Sequence, residues 1–244
     1  MSGHSKWANI KHKKEKTDAA RGKVFTKIGK EITLAVKQGG GDPASNSKLR
    51  DLIQKAKANN VPNDNIERCI KKAMGAGGEN YEEVSYEGYG PAGIAVLVTA
   101  TTDNRNRTAG NIRAYFSKYH GNMGQTGCVG YLFTDIGEIV INNEDGDVDE
   151  DKLMETALEA GASDFKKDGV VFVVTTEPDD VYAIQEALAA AGYEILSAEK
   201  TKQASTGVTL ENEDDIKFMN LLIEKLEDDD DVMDVYHNWE NCDD

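Results

Sequence analysis

The chain has 244 residues, of which 39% are apolar, and its formal net charge is −16. Its apolar runs are much shorter than the about 18 residues that identify a membrane-spanning helix, and its basic beginning is followed by no apolar segment. These features argue against a membrane protein and a secretory signal peptide, so we expect a cytoplasmic protein with no membrane partner.

Charge is distributed very unevenly along the chain. Residues 1–75 contain 17 Lys and Arg against 7 Asp and Glu, a net charge of +10, whereas residues 76–244 contain 11 against 37, a net charge of −26. The acidic total alone would argue against a nucleic-acid partner, but a segregated basic end indicates a segment that can contact phosphates. This segregation is the main functional signal in the sequence.

A basic helical domain with an N-terminal arm is predicted for residues 1–78. After the first 20 residues or so, apolar side chains recur every three or four positions in three stretches, which predicts three amphipathic helices. These stretches are residues 24–36, 49–56 and 66–74. A cluster of glycines at 39–41 separates the first two helices, and short turns between all three are typical of a small bundle.

The composition then becomes typical of β-structure. The predicted elements are two strands, a helix, a glycine-rich loop and a short strand, at residues 83–89, 93–101, 104–119, 121–130 and 131–133. The tail of the chain adds a predicted strand, helix and strand at residues 207–210, 214–227 and 232–237. Neither part closes a sheet alone, so we expect residues 79–135 and 203–244 to form one α+β domain.

A complete βαββαβ order lies between these two parts, and that order is typical of a ferredoxin-like domain. Its predicted elements are residues 137–141, 150–160, 162–165, 170–175, 179–191 and 193–199. We therefore predict an α+β protein in which residues 136–202 form a ferredoxin-like domain inserted into the second domain.

The basic arm and the start of the first helix are the strongest candidates for nucleic-acid contact. Phosphate contacts release condensed counterions, which drives non-specific binding, and an indole can stack on a base for about 1–3 kcal/mol. Lysine outnumbers arginine, which favours backbone contact over recognition of guanine. The candidate residues are Lys6, Trp7, Lys11, Lys13, Lys14, Lys16, Arg21 and Lys23, and Lys27 and Lys30 extend the charge. The alternative is that the lysines meet the chain's own acidic residues.

The strand-to-helix junction at residues 101–108 is a second candidate site. Asp103 can cap the helix, which leaves backbone N–H groups exposed in its first turn. Arg105 and Arg107 lie beside this positive end of the helix dipole, an arrangement suited to an external phosphate. The alternative is an ordinary cap with both arginines paired to acidic neighbours.

The glycine-rich loop at residues 121–130 is a third candidate, because its glycines allow backbone amides to approach a ligand closely. It matches neither a Walker loop nor a dinucleotide-binding motif, which favours a plain connection. The acidic run at residues 227–231 lacks the glycine and closing glutamate of a calcium loop and predicts a solvated turn. The four histidines and three cysteines lack metal-ligand spacing. We therefore expect no catalytic residues, no metal and no cofactor.

Three segments together resemble the YebC family: residues 1–12 (MSGHSKWANIKH), residues 102–108 (TDNRNRT) and the glycine-rich residues 121–129. The resemblance covers essentially the whole chain and implies a helical domain followed by two α+β domains. Bacterial members of that family are labelled probable transcriptional regulatory proteins, and its mitochondrial relatives are translational activators. It supplies no established catalytic residues, which agrees with the sparse catalytic patterns.

These observations lead to three functional hypotheses. The first is a DNA-binding transcriptional regulator, and the second is a ribosome-associated translation factor that contacts ribosomal RNA. Phosphate contacts carry no base information, so the sequence leaves both open. The third is an enzyme acting on an anionic metabolite, with Arg105 and the glycine-rich loop as a phosphate cradle. Nothing in the sequence forces a dimer, and a monomer stays open.

Overall fold

The computed structural model describes residues 18–75 and 80–242, with side chains from residue 22 onward. The helices of this part of the chain are α1 (Asp18–Gly39), α2 (Ser47–Ala58), α3 (Asn63–Met74), α4 (Arg105–Lys118), α5 (Glu150–Glu159), α6 (Val181–Ala190) and α7 (Glu213–Asp228). Its strands are β1 (Glu82–Tyr89), β2 (Ala95–Thr102), β3 (Asn122–Met123), β4 (Phe133–Asn142), β5 (Asp164–Asp168), β6 (Val171–Thr176), β7 (Ile195–Ala204) and β8 (Val232–His237). The prediction of an α+β fold with a helical N-terminal region is confirmed.

The described residues divide into two compact units. The first unit comprises residues 18–130 and 211–237, and the second unit comprises residues 131–210 and 238–242. The helical bundle thus lies in the same unit as the first sheet. The division into three domains with boundaries at 78, 135 and 202 stays a prediction.

The three helices of the bundle enclose an apolar core made by the residues that recur at helical spacing. Its buried members include Ile28, Ile32, Leu49, Leu52, Ala56 and Ile66. Asn46 joins two of the helices, because its side chain accepts a hydrogen bond from the Leu49 amide at 3.0 Å and donates to the Ala35 carbonyl at 2.9 Å. This cap fixes where α2 begins relative to the end of α1.

The first sheet has the strand order β3-β1-β2-β8, with every neighbouring pair antiparallel. β2, one of the two inner strands, pairs with a strand from a distant part of the chain, since Val96 pairs with His237 and Ala100 with Val232. One sheet therefore contains strands from before and from after the ferredoxin-like segment.

The second sheet has the strand order β5-β6-β4-β7, again with antiparallel neighbours. Together with α5 and α6 this is the arrangement of a ferredoxin-like βαββαβ unit. Alternate side chains of β4 and β6 point to one face and pack on the helices. The buried residues of this core are Ile139, Ile141, Phe172, Val174, Leu153, Ala157, Val181, Ile184 and Leu188. Burying each Leu, Ile or Phe side chain contributes roughly 1.5–3 kcal/mol.

Two predicted strands are wrong. Residues 130–132 form a short 3-10 turn, and only Phe133 of the predicted 131–133 strand belongs to a sheet, as the first residue of β4. Residues 207–210 join no sheet, and Val208 makes one isolated bridge with Trp239. The reason is that the Asn241 side chain bonds both the amide and the carbonyl of Leu210 at 2.8 Å, so it replaces a neighbouring strand there.

Among the helices in the described part of the chain, none combines the length and the apolar character needed to cross a bilayer.

Candidate functional site

Most of the predicted arm residues lie outside the described residues. These are Lys6, Trp7, Lys11, Lys13, Lys14 and Lys16. Arg21 lies within α1, but its side chain is also outside the described part. The roles assigned to these residues stay predictions. The structure describes the contacts of the next lysines along α1, which are Lys23, Lys27 and Lys30.

Three lysines of α1 contact the acidic segment, defined as residues 227–231 at the end of α7. Lys23 forms an ion pair with Asp228, and Lys27 donates to the Glu227 carbonyl at 2.6 Å. Lys30 donates to the Asp231 carboxylate at 2.8 Å and to the Asp230 carbonyl at 2.9 Å. Positions 23, 27 and 30 lie on one face of a helix, and cations are favourable beside the free carbonyls at a helix C-terminus.

This arrangement corresponds to the alternative weighed for the basic helix, in which its lysines meet the chain's own acidic residues. The individual contacts differ in burial. The Lys23 and Asp228 side chains are 47% and 49% exposed, whereas those of Lys30 and Asp231 are 14% and 6% exposed. Exposed ion pairs contribute little to stability, so Lys23 can exchange its partner for a phosphate at little cost. The buried pair of Lys30 holds this lysine in the fold.

The prediction of a solvated turn for the acidic segment holds for Glu227, Asp228 and Asp230, which are exposed, and is wrong for Asp231, which is buried. Asp231 is 4% exposed and accepts hydrogen bonds from Arg107 Nη2 at 2.7 Å and Thr108 Oγ1 at 2.8 Å, in addition to Lys30. Asp229 accepts from the Tyr115 hydroxyl at 2.9 Å, and burial together with this contact raises the pKa of Tyr115 to about 12. The segment thus joins α1, α4 and the start of β8.

Burial alone would raise the pKa of Asp231, but hydrogen bonds from Arg107, Lys30 and Thr108 outweigh it and lower the pKa to about 2. The same contact with Asp231, with a second one from Asp103, raises the pKa of Arg107. The carboxylate and the guanidinium therefore stabilise each other's charged forms.

The lowered pKa predicts acid sensitivity in a defined window. An unfolded Asp takes up its proton near pH 3.9 and the folded Asp231 only near pH 2, so its contribution is complete above about pH 5 and falls as the pH approaches 2. We expect about 1 kcal/mol of the unfolding free energy to be lost by pH 3. The measurement is urea unfolding of the native chain and of Asp231→Asn at pH 5 and pH 3. The difference between the two proteins should shrink by that amount, and an unchanged difference would contradict the assignment.

The strand-to-helix junction is an intramolecular network rather than an open cap. Asn104 caps α4, since its Oδ1 accepts from the Arg107 amide at 3.1 Å, so the predicted cap at Asp103 is wrong. Asn104 has the extended backbone that directly precedes the helix, and Asp103 instead accepts from Arg107 Nη2 at 2.6 Å. Arg105 and Arg107 are both exposed, but they differ in their contacts, because no ion pair is found for Arg105 within the described residues.

The glycine-rich loop binds an anion of the chain itself. Glu87 of β1 accepts hydrogen bonds from the backbone amides of Gly127, Val129 and Gly130 at 2.7, 2.8 and 2.6 Å. Burial favours the neutral acid, but these three bonds outweigh it and lower the pKa of Glu87. These three amides are therefore not available to an external phosphate, because they already donate to Glu87.

Sequence reasoning missed Glu87, and no pattern in the chain points to it. The alternation of β1 places Val84 and Tyr86 on the inner face and gives position 87 the appearance of a solvated glutamate. Its partners follow some 40 residues later in the chain. The glycine-rich sequence of the loop indicated that its backbone amides could bind an anion, but it did not indicate that this anion is Glu87.

Within the described residues, no group of three or more His, Cys, Asp and Glu side chains is placed to hold a metal ion. Cys128 lies in the glycine-rich loop, where burial and the nearby Glu87 raise the pKa of its thiol. A raised pKa keeps the thiol protonated and disfavours a nucleophilic role.

Comparison with known proteins connects both units to one family. A model described as the TACO1/YebC protein N-terminal domain matches residues 5–76, and one described as the TACO1/YebC second and third domain matches residues 81–239. A relative from Lachnoclostridium phytofermentans is 54% identical over 98% of this chain and 100% of its own length. One from Acetivibrio thermocellus is 57% identical over 98% and 99%. Both are named "Probable transcriptional regulatory protein".

A solved structure resembles the fold over nearly its full length. The crystal structure of the conserved hypothetical protein Aq1575 from Aquifex aeolicus has a TM-score of 0.83 and 44% sequence identity, and the match covers 97% of each chain.

Proposed function

The chain belongs to the TACO1/YebC family, and from this we propose that it is a non-enzymatic regulator of gene expression that acts in the cytoplasm by binding nucleic acid. One observation carries the proposal: the net charge of +10 on residues 1–75 beside −26 on the remainder. The basic part attracts phosphates, and the acidic part repels them and so limits contact to one end. The name given to the relatives supports a regulatory role.

The intramolecular contacts narrow the set of residues that would bind phosphate. Lys27 and Lys30 donate to the acidic segment, and Arg107 is held by two carboxylates. The arm residues Lys6, Lys11, Lys13, Lys14 and Lys16 are then the main phosphate contacts, with Trp7 available for stacking. Lys23 and Arg105 join them, the first through an exposed and exchangeable pair and the second through its exposed guanidinium.

Salt dependence tests the proposal. The logarithm of the association constant for duplex DNA should fall linearly with the logarithm of the salt concentration. Replacing Lys6, Lys11, Lys13 and Lys14 by glutamine should reduce that slope by about 3 to 4, since each lost duplex contact removes about 0.9. Fluorescence anisotropy at several salt concentrations measures both slopes.

A charge-matched control separates specific contacts from a change in net charge. It replaces four exposed lysines of the acidic part by glutamine, namely Lys118, Lys152, Lys166 and Lys217. This variant should retain the slope of the native chain. A native chain whose affinity does not change with salt would refute the proposal.

A second candidate, a ribosome-associated translation factor, is favoured by the composition of the basic part. Residues 1–75 contain 14 Lys and only 3 Arg, and lysine contacts phosphate as a point charge without bidentate recognition of a base. That chemistry serves structured RNA as well as DNA. The same titration with a structured ribosomal RNA fragment discriminates between the candidates, because tighter binding of the RNA at equal salt favours the role in translation.

A further inference from the structure

The bundle carries a second cationic surface that the acidic segment does not cover. It is a shallow groove of about 300 Å³ beside α2, which we call the α2 groove. Its lining residues are Pro43, Ala44, Arg50, Ile53, Gln54 and Lys57. None of them belongs to the arm, to the strand-to-helix junction or to the glycine-rich loop.

The amphipathic pattern of α2 dictates which side chains face this groove. Leu49, Leu52 and Ala56 are buried in the bundle core. Arg50, Gln54 and Lys57 follow the i, i+4, i+7 spacing of a different stripe, and all three are exposed. Because the Asn46 cap fixes the beginning of the helix, the stripe is held on a rigid element.

The two cations of the stripe are not committed to carboxylates. Lys57 has no ion pair within the described residues, and the described contact of the Arg50 side chain is a hydrogen bond of 3.4 Å from Nη1 to the Pro43 carbonyl. That contact orients the guanidinium and uses one of its five N–H donors. The neighbouring cations of the same helix are engaged elsewhere, Lys48 with Glu83 and Lys55 with Glu31.

The dimensions and the lining of the groove fit a strand that carries successive phosphates along an extended backbone. Seven residues of α-helix separate Arg50 and Lys57 by about 10 Å, so the two cations cannot share one phosphate and can contact two along a strand. Gln54 lies between them and can donate through its amide. Pro43, Ala44 and Ile53 give an apolar wall against which a sugar or base can pack.

We propose that the α2 groove is a binding subsite for the phosphodiester backbone of a nucleic-acid strand, with Arg50 and Lys57 each contacting a phosphate. The inference rests on the proposed function and names a surface of the bundle that acts beside the arm. Charge complementarity selects this occupant, since the groove offers two cationic donors and no carboxylate.

The test compares the full-length chain with the double variant Arg50→Gln and Lys57→Gln. Anisotropy titrations use a duplex DNA and a single-stranded RNA, each at several salt concentrations. The loss of two phosphate contacts should reduce the salt slope by about 1.8 on the duplex and about 1.4 on the single strand. The nucleic acid on which the slope changes identifies the strand that occupies the groove.

Two further variants are controls that separate the loss of the groove contacts from a general loss of positive charge. Arg50→Lys with Lys57→Arg keeps both charges and should retain the slope, and Lys152→Gln with Lys166→Gln removes two exposed charges of the second unit and should also retain it. Circular dichroism and melting temperature verify that each variant is folded. If the Arg50→Gln and Lys57→Gln variant has the same salt slope as the native chain, the α2 groove does not bind nucleic acid, and the proposed function is unaffected. A native chain that binds neither nucleic acid overturns both.

Discussion

Replacing Asp231 by alanine should lower the free energy of unfolding by about 3–5 kcal/mol, the usual cost of breaking a buried ion pair. The carboxylate is the common acceptor for Lys30, Arg107 and Thr108. Its removal leaves Lys30, whose side chain is 14% exposed, without its counter-charge, and leaves the buried Thr108 hydroxyl with fewer partners. Urea unfolding followed by circular dichroism measures the change.

Asp179→Ala is the matched control. Asp179 pairs with Lys200 at 2.8 Å, the same distance as Asp231 and Lys30, but its side chain is 94% exposed. An exposed ion pair contributes little to stability, so this variant should unfold at nearly the same urea concentration as the native chain. Equal effects of the two substitutions would show that burial of the acidic segment does not contribute to stability.

Replacing Glu87 by glutamine should cost about 2–3 kcal/mol and loosen the glycine-rich loop. Both carboxylate oxygens accept amide hydrogens, Oε1 from Gly127 and Oε2 from Val129 and Gly130. Glutamine offers a single oxygen, so in either orientation its NH₂ group faces at least one backbone donor. Urea unfolding gives the loss, and hydrogen exchange should be faster at the three loop amides.

Glu83→Gln provides the comparison on the same strand. Glu83 lies four residues before Glu87 on β1, on the same side of the strand, and forms an exposed ion pair with Lys48. Its substitution should change stability by no more than about 1 kcal/mol and leave the loop amides unaffected. Native protection of the loop in Glu87→Gln would contradict the proposed cradle.

The elements of the fold could be predicted because their signals are local. The helical spacing of apolar residues located α1, α2 and α3, and the order of strands and helices identified the ferredoxin-like unit before any contact was known. The predicted strand at residues 207–210 failed because a side chain, that of Asn241, provides the hydrogen bonds that a strand would supply. Local pattern carries no information on such a substitute partner.

The candidate site could be predicted only in part. Net charge identified the basic end, and Lys23, Lys27 and Lys30 were among the cations that it singled out. The partners of these lysines follow about 200 residues later, so the sequence alone could not decide between phosphate and carboxylate. The contact between Glu87 and the glycine-rich loop could not be predicted for the same reason, because neither segment alone indicates its partner.

The acidic segment should weaken the binding of polyanions to the helical bundle, and a fragment without the segment would reveal this effect. A fragment ending at the bundle would lack residues 227–231, and the ammonium groups of Lys23, Lys27 and Lys30 would lose the intrinsic polyanion mimic that occupies them. Such a fragment would bind heparin or any nucleic acid more avidly than the intact chain does. In the intact chain the acidic segment thereby competes with external polyanions for these lysines, so a nucleic acid must bind them more strongly than the segment does.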